Sequence, residues 1–260
     1  EPGVPWLTIR TTAAFGYDGE GDLPEAQPAG NFEDSFPLLD WAMESGLVLG
    51  DFYLSGGSVD VFAPGIGFDE DGAVYESMQR GENTFIDPFA FDFIAGVGDG
   101  ISYGIAPSDG TAFVPLFTAS QTAVMGGATD GDGTKDRFPD GTALSYERYL
   151  FVGHGDVGSV VDKYIESRDI PYGEVQGTVV EEYTGTPLSK VNVFAYRLGD
   201  SEPWSQWLTD VHPDDHLLDG SFGGRLPVGD WELLVHERGR PNPTRVPVSV
   251  RLDETVQVQL

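Results

Sequence analysis

Cysteine is absent from all 260 residues of the chain. A disulfide framework, a thiolate metal site and a cysteine nucleophile are therefore excluded. No stretch approaches the roughly 20 consecutive apolar residues of a membrane helix, so the sequence predicts no membrane insertion. Residues 1–5 also lack the basic and apolar regions of a signal peptide, and we expect an exported form to have lost its signal already.

Lysine is nearly absent too, since Lys135, Lys163 and Lys190 are the only ones. Asp and Glu total 43 against 14 Lys and Arg, which gives a formal net charge of -29. Such a surface repels nucleic acids and anionic lipids, so both are excluded as partners. The bias fits a high-salt habitat, a GC-rich genome or an exported protein bathed in calcium. Export to the periplasm, the cell surface or the medium is the predicted location.

The phosphate-binding loop of P-loop nucleotide-binding proteins is missing as well, because the chain contains no GxxxxGKS or GxxxxGKT. His212 and His216 have the HxxxH spacing of zinc sites, but Pro213 between them indicates a loop. Among 43 acidic residues, no pair can be singled out for glycoside hydrolysis. We therefore assign no catalytic and no cofactor-binding residue, and we do not expect this chain alone to be an enzyme.

The length favours two domains, because single hydrophobic cores stop growing at about 250–300 residues. Residues 156–167 place apolar side chains at helical spacing, with Asp156 as the N-cap. We place the boundary after this helix, which gives domains at residues 1–170 and 171–260. A short helix is also predicted at 69–80. Clusters of β-branched and aromatic residues predict strands at 6–12, 47–54, 58–62, 85–93, 101–105, 112–117 and 144–152.

The C-terminal part shows the clearest alternation of apolar and polar residues. About seven short strands in roughly ninety residues indicate a sandwich of antiparallel sheets, since such domains contain about 100 residues. The apolar positions that define the strands are Val175, Val179, Val191, Val193, Ala195, Trp231, Leu233, Val235, Val246, Val248, Val250, Leu252, Val256, Val258 and Leu260.

Residues 173–260 resemble a carboxypeptidase regulatory-like domain of the transthyretin-like, seven-stranded type. The resemblance lies in a Gly-x-Val opening, a Thr-Gly-x-Pro-Leu turn and an Asp-Gly-x-Phe…Leu-Pro-x-Gly-x-Trp hairpin. These motifs are formed by Gly173, Val175, Thr184, Gly185, Pro187, Leu188, Asp219, Gly220, Phe222, Leu226, Pro227, Gly229 and Trp231. Such a module implies a fold and accompanies a functional domain, but it implies no activity of its own.

The N-terminal part resembles the non-catalytic, β-rich half of CehA/McbA-type PHP metallohydrolases. The matching segments are residues 65–69, 87–89, 98–104, 147–149 and 153–157. This resemblance implies an all-β chain: a β-supersandwich-like N-terminal domain with a few short helices, followed by the transthyretin-like sandwich. Because the chain opens directly on a strand, we expect earlier strands to be missing. The family's metal-binding His-x-His motif belongs to a downstream catalytic domain and is not found here.

Three functions stay open. The first is a non-catalytic accessory, binding or scaffolding part of an exported bacterial protein, with a PHP-type catalytic domain as its partner. The second is a carbohydrate-binding or polysaccharide-lyase-like protein, because rhamnogalacturonan lyases also join a supersandwich to a transthyretin-like module. In that case Trp204, Trp207 and Tyr196 are the candidates for stacking on sugar rings as exposed aromatics, with core packing as the alternative for at least one of the tryptophans. The third is an extracellular structural or adhesive protein, which would self-associate without turnover.

One acidic loop is a candidate calcium site. Asp130, Asp132 and Asp136 occur as DxDGxxD and can place three carboxylates around one hard cation. The loop is not an EF-hand, because the twelfth position counted from Asp130 is Gly141 rather than a bidentate Glu. A solvated acidic turn is the alternative. Weaker candidates of the same kind are Asp18, Glu20, Asp22, Asp69, Glu70, Asp71 and Glu76.

If the DxDGxxD loop binds Ca²⁺, adding calcium will raise the melting temperature of the protein, because a ligand that binds only the folded state stabilises it. Thermal melts with chelator and after re-addition of calcium measure this. A melt that does not change removes the calcium site.

Overall fold

The computed structural model describes residues 4–14, 27–28, 32–37, 60–65, 67–68, 89–97, 100–108, 112–117, 121–126, 137–138, 143–211, 218–236 and 245–260. These residues form five β-sheets and one helix. The prediction of an all-β chain is therefore confirmed. Among the same residues, no helix is long and apolar enough to cross a membrane.

The strands before the helix form three sheets. A six-stranded sheet has the order β1-β12-β8-β7-β4-β5, a four-stranded sheet has the order β3-β10-β9-β6, and β11 pairs with β2. All pairs in these sheets are antiparallel. The strands are β1 Trp6–Ala14, β2 Gln27–Pro28, β3 Phe32–Pro37, β4 Asp60–Ala63, β5 Gly67–Phe68, β6 Phe89–Phe91, β7 Ile94–Val97, β8 Ser102–Pro107, β9 Ala112–Phe117, β10 Gln121–Gly126, β11 Arg137–Phe138 and β12 Ala143–Gly153.

One helix, α1, follows at Gly158–Ser167. Seven strands then form a two-sheet sandwich, with the orders β16-β13-β19 and β15-β14-β17-β18. The predicted number of seven strands is confirmed for the described residues. Their bounds are β13 Tyr172–Thr178, β14 Asn192–Arg197, β15 Ser205–Leu208, β16 Ser221–Pro227, β17 Gly229–His236, β18 Val246–Val250 and β19 Thr255–Gln259.

The prediction of purely antiparallel sheets is wrong for one pair. β13 and β19, the first and last strands of the sandwich, run parallel, with Glu174 opposite Thr255 and Thr178 opposite Gln259. Parallel strands need a long crossover connection. Here the five strands between β13 and β19 provide this connection. The last strand of the sandwich therefore pairs with its first strand.

The alternation of apolar residues predicts the sandwich core well. Val175, Val193 and Leu233 are completely buried. Leu252 is the exception, because it is 58% exposed. β18 ends at Val250, so Leu252 lies in the turn before β19 rather than on the predicted strand.

A single hydrophobic cluster joins the N-terminal sheet, α1 and the sandwich. No described strand pairs with another across residue 170, so the two parts are linked by the helix and by contacts outside the strand pairings. The division into domains 1–170 and 171–260 stays a prediction, and the two parts share one packed interior. The cluster includes Phe62, Phe93 and Phe151 from the N-terminal sheet region, Val160, Val161, Tyr164 and Ile165 from α1, and Trp204, Trp207, Phe222 and Trp231 from the sandwich.

Most strand predictions before the helix agree with the structure. β1, β4, β8, β9 and β12 match the strands predicted at 6–12, 58–62, 101–105, 112–117 and 144–152 in their described residues. The aromatic run at 85–93 contains β6, and Phe93 beyond it is completely buried. The strand predicted at 47–54 and the helix predicted at 69–80 lie outside the described residues.

Candidate functional site at the helix and sandwich junction

Helix α1 covers one side of the sandwich. It lies against β16 and β15, which are edge strands of the two different sheets. Asp162 Oδ1 accepts a 2.7 Å hydrogen bond from the Arg225 backbone N–H of β16. Asp156 Oδ2 accepts a longer bond, 3.4 Å, from the Leu208 N–H of β15. Because edge amides have no partner within their own sheet, these two carboxylates supply acceptors that the sandwich itself lacks.

The loop before α1 positions Asp156 for this contact. Gly155 has a φ of 104°, a left-handed conformation that favours glycine. Asp156 Oδ1 accepts the Ser159 N–H at 2.9 Å, and the Ser159 hydroxyl donates to the Asp156 carbonyl at 2.9 Å. The prediction of Asp156 as the N-cap is wrong by one residue, because the N-cap position is Val157. Val157 N–H donates in turn to Gln206 Oε1 of β15 at 3.2 Å.

Two glycines allow the helix to approach the sandwich closely. A Cβ on Gly158, at the start of α1, would lie 2.1 Å from Trp207 Cδ1. A Cβ on Gly224 of β16 would lie 2.6 Å from Trp207 Nε1. The indole of Trp207, 1% exposed, therefore fills the space that both missing side chains leave. Its Nε1 is buried and has no hydrogen-bond partner among the described residues.

The N-terminal sheet also contacts the sandwich directly. Trp204 Nε1 donates to Asp92 Oδ2 at 3.2 Å, and the rings of Phe93 and Trp204 meet edge to face at 5.8 Å. A backbone hydrogen bond of 3.0 Å joins Gly65 N–H to the Pro203 carbonyl. Polar and apolar contacts therefore join the two parts in addition to the helix.

An open groove of about 520 Å³ runs beside this junction. Its wall combines the loop before α1 with β13 and β16. The described residues that line the groove include three carboxylates and one guanidinium, so together they carry a negative charge. The polar groups of the wall come from His154, Asp156, Asp162, Glu174, Gln176, Ser221 and Arg225.

Asp162 is the most perturbed acid of the groove. Burial raises its pKa to about 6, and the charge of Asp156 adds to this rise. The hydrogen bond from the Arg225 N–H and the positive charge of Arg225 act in the opposite direction. The Arg225 guanidinium is itself held 4.6 Å from the ring centre of Tyr172 and 3.5 Å from Glu166 Oε2. Asp162 thus changes charge in a mildly acidic range where most carboxylates are already ionised.

The predicted metal residues are not among the residues that the structure describes. Asp130, Asp132 and Asp136 lie outside the described residues, so calcium binding by this loop stays a prediction. His212 and His216 lie outside them too, as do the weaker acidic clusters at 18–22 and 69–76. The part of the chain that the structure describes holds no group of three His, Cys, Asp or Glu side chains arranged for a metal ion.

The prediction of exposed aromatic rings for sugar stacking is wrong. Trp204, Trp207 and Tyr196 are 5%, 1% and 8% exposed. Two of these rings pack at the junction, and the third is covered by the Arg245 guanidinium at 3.7 Å from its centre. The alternation of β14 and β15 could have indicated burial, but the ring positions depend on α1 and on the N-terminal sheet.

Sequence reasoning did not identify Asp162 and Gln206 as junction residues. Asp162 follows two buried valines on α1 and looks like an ordinary solvated helix position. Its role depends on the β16 amide of Arg225, which is 63 residues away along the chain. No local pattern encodes that contact.

Neither a known protein family nor a curated protein matches the sequence. Among solved structures, the TIE protein of Bacillus anthracis is similar at 10% identity over 66% of this chain and 25% of that chain, with a TM-score of 0.25. A minor pilin of Streptococcus agalactiae is similar at 14% identity over 82% and 91%, with a TM-score of 0.27. A polysaccharide lyase is similar at 12% identity over 66% and 25%, with a TM-score of 0.23.

The chain therefore spans a quarter of the TIE protein and a quarter of the lyase. TM-scores this low establish no shared fold and carry no functional argument. The description of the fold rests on the sheets and the junction of the chain itself.

Replacing Asp162 by Asn will stabilise the protein at neutral pH. The folded-state pKa of about 6 lies above the ordinary pKa of 3.8 for an aspartate, so folding favours the protonated carboxyl. Its contribution to stability is full below about pH 4 and is lost as the pH rises to about 6. The Asp162→Asn variant, which keeps an acceptor for the Arg225 N–H, should match the wild type near pH 4 and exceed it by up to about 3 kcal/mol above pH 7.

Denaturant unfolding between pH 4 and pH 8 measures this difference. Glu174→Gln, an exposed groove carboxylate, controls for the removal of one charge from a protein of net charge -29. A gain for Asp162→Asn that is independent of pH, or that is no larger than the gain for Glu174→Gln, would contradict the assignment.

Proposed function

We propose that this chain is a non-catalytic scaffolding part of an exported bacterial protein, and that it holds a β-rich N-terminal part and a transthyretin-like sandwich in one fixed arrangement. The observation that carries the proposal is α1, whose apolar side chains lie in the one packed interior that both parts share. Asp162 of α1 and Asp156 in the loop before it accept amides from both sandwich sheets.

The use of the large aromatic residues supports this function. Trp204, Trp207 and Trp231 are all at most 5% exposed and belong to the shared core. Trp204 and Trp231 pack on each other at 5.4 Å, with the Arg197 guanidinium 5.4 Å from each ring centre. Such side chains contribute large apolar contact areas. Here they stabilise a joint rather than a ligand surface.

A scaffold of this kind fits the accessory half of a PHP-type metallohydrolase, with the catalytic metal held by a downstream domain. Sequencing the source DNA beyond the codon for Leu260 tests this finer proposal. A continuing frame with a His-x-His PHP domain supports it. A stop codon at that point would direct attention to the structural or adhesive alternative.

Carbohydrate binding is the second candidate, and the groove is the observation that favours it. Gln176, Ser221 and Arg225 offer neutral and charged hydrogen-bonding groups along a space of about 520 Å³. A carbohydrate in this groove would bind without aromatic stacking, because Trp204 and Trp207 are buried. Retention of a neutral oligosaccharide on a glycan array, and its loss in Gln176→Ala, would support this function.

The scaffolding function predicts a single fixed distance between the two parts. The chain has no cysteine, so Thr8→Cys on β1 and Ser249→Cys on β18, both exposed, can carry two spin labels. Pulsed electron spin resonance should give one narrow distance distribution, because the shared core prevents rotation at the joint. Singly labelled variants identify any distances between molecules.

The Trp207→Ala variant is the matched test of the joint. It removes the ring that fills the space between Gly158 and Gly224 and should broaden the distribution. A distribution that is already broad in the doubly labelled chain, before Trp207 is changed, would show two freely jointed parts and contradict a scaffold.

A further inference from the structure

The outer edge of β19 differs from the other sandwich edges. β19 ends the sheet β16-β13-β19, and no described strand pairs with its outer side. At the opposite end of that sheet, Asp162 of α1 accepts an edge amide of β16. In the second sheet, the edge strand β18 carries Pro247, and proline lacks the N–H that an added strand needs. Among these three edge strands, β19 alone has neither a carboxylate among the described residues that accepts its outward amides nor a proline.

The hydrogen bonds to β13 show which groups of β19 face outward. Glu174 N–H donates to the Glu254 carbonyl at 2.8 Å, and Leu260 N–H donates to the Thr178 carbonyl at 2.9 Å. Backbone groups alternate in direction along a strand. The even-numbered residues of β19 therefore face β13. Thr255, Gln257 and Gln259 direct three N–H and three C=O groups away from the sheet.

The sequence of this edge is neutral in a strongly acidic chain. Residues 255–260 contain no charged residue and no proline, whereas the whole chain carries a net charge of -29. Val256 and Val258 are only half-buried, and Gln257 is exposed. Lys and Pro on the edge are common devices against strand addition, and β19 has neither.

The pattern of β19 is also self-complementary about Gln257. Polar and apolar residues alternate symmetrically on either side of it in Thr-Val-Gln-Val-Gln. We infer that β19 is a homodimer interface, in which two copies of the chain pair their β19 strands antiparallel around a two-fold axis at Gln257. Such a contact uses the same surface on both copies, as closed two-fold dimers do.

In this register, polar residues lie opposite polar residues and valine lies opposite valine. Thr255 faces Gln259 of the partner subunit, and Val256 faces Val258 of the partner subunit. Gln257 Nε2 already donates to Gln176 Oε1 at 2.9 Å, so pairing Gln257 with Gln257 of the partner subunit extends an amide ladder across both sheets. No charged side chain lies directly opposite a like charge within the paired residues, which would be destabilising.

Charge on the rest of the surface opposes the dimer and gives it a salt dependence. Two copies of net charge -29 repel each other. Raising the ionic strength from about 0.01 M to about 0.15 M shortens the Debye length from about 30 Å to about 8 Å. Association should therefore strengthen with salt, the reverse of binding to a cationic partner.

Sedimentation velocity of the full chain, over a range of concentrations and salt, tests the interface. The Gln257→Pro variant removes an outward N–H while leaving the even-numbered bonds to β13 in place, so it should fold and associate at least tenfold more weakly. Gln257→Thr keeps the N–H and is the matched control, with association close to that of the wild type. Near-ultraviolet circular dichroism and the melting temperature confirm that each variant is folded.

A cysteine trap tests the register without relying on Gln257→Pro. Because the chain has no cysteine, Gln257→Cys places two thiols opposite each other at about 5.5 Å between Cα atoms, a separation that a disulfide can span. Thr255→Cys on the same strand places its two thiols on the order of 13 Å apart at the 3.3 Å rise of each residue. Oxidation should cross-link Gln257→Cys at least tenfold faster than Thr255→Cys.

Three results would overturn the inference. The first is a wild-type chain that stays monomeric at high concentration and high salt. The second is a dimer that survives Gln257→Pro, since the copies would then meet elsewhere. The third is cross-linking of Thr255→Cys as fast as that of Gln257→Cys.

Discussion

The hydrogen bonds between the carboxylates of the α1 region and the edge amides of the sandwich are the constraint on which the rest of this structure depends. A two-sheet sandwich ends in edge strands whose amides need acceptors. In this chain Asp162 and Asp156 provide acceptors for β16 and β15, one strand from each sheet. Since both acids lie in or just before α1, closing the sandwich also fixes the sandwich to the N-terminal sheet.

The same geometry explains why so many aromatic side chains lie at the junction. Once α1 approaches through Gly158 and Gly224, Trp207 is enclosed between helix and strand. Trp204 is then held against Phe93 and Asp92 of the N-terminal part. The C-terminal sandwich therefore has a core that is completed by residues that precede it in the chain.

Acidic residues have two different roles in this chain. Most contribute to a net charge of -29. This charge repels other acidic polymers, and it also opposes association between two copies of the chain. A neutral strand such as β19 adds no charge to that repulsion. A few instead accept backbone N–H groups at the junction, as Asp156 and Asp162 do. Burial raises the pKa of Asp162, while the Arg225 amide and guanidinium lower it.

The sequence could predict what depends on neighbours along the chain. Alternation at Val191, Val193 and Ala195 indicated buried strand positions, and the spacing from Val157 to Ile165 indicated α1. It could not predict contacts between distant segments. The parallel pairing of β13 with β19, the burial of Trp204 and the acceptor role of Asp162 each depend on such contacts.

The prediction that Asp130, Asp132 and Asp136 bind calcium depends on spacing alone. Their spacing suggests a ligand, but an acidic turn has the same spacing. Only the arrangement of several carboxylates around one point could separate the two.

Native-state hydrogen exchange of the Arg225 and Leu208 amides tests the central claim most directly. If α1 closes the sandwich, both edge amides will exchange only through the opening that also exposes core amides such as those of Val193 and Leu233, and Asp162→Ala will release Arg225 first. Rapid exchange of both amides in the wild-type protein, at the rate of an uncovered strand edge, would contradict the account.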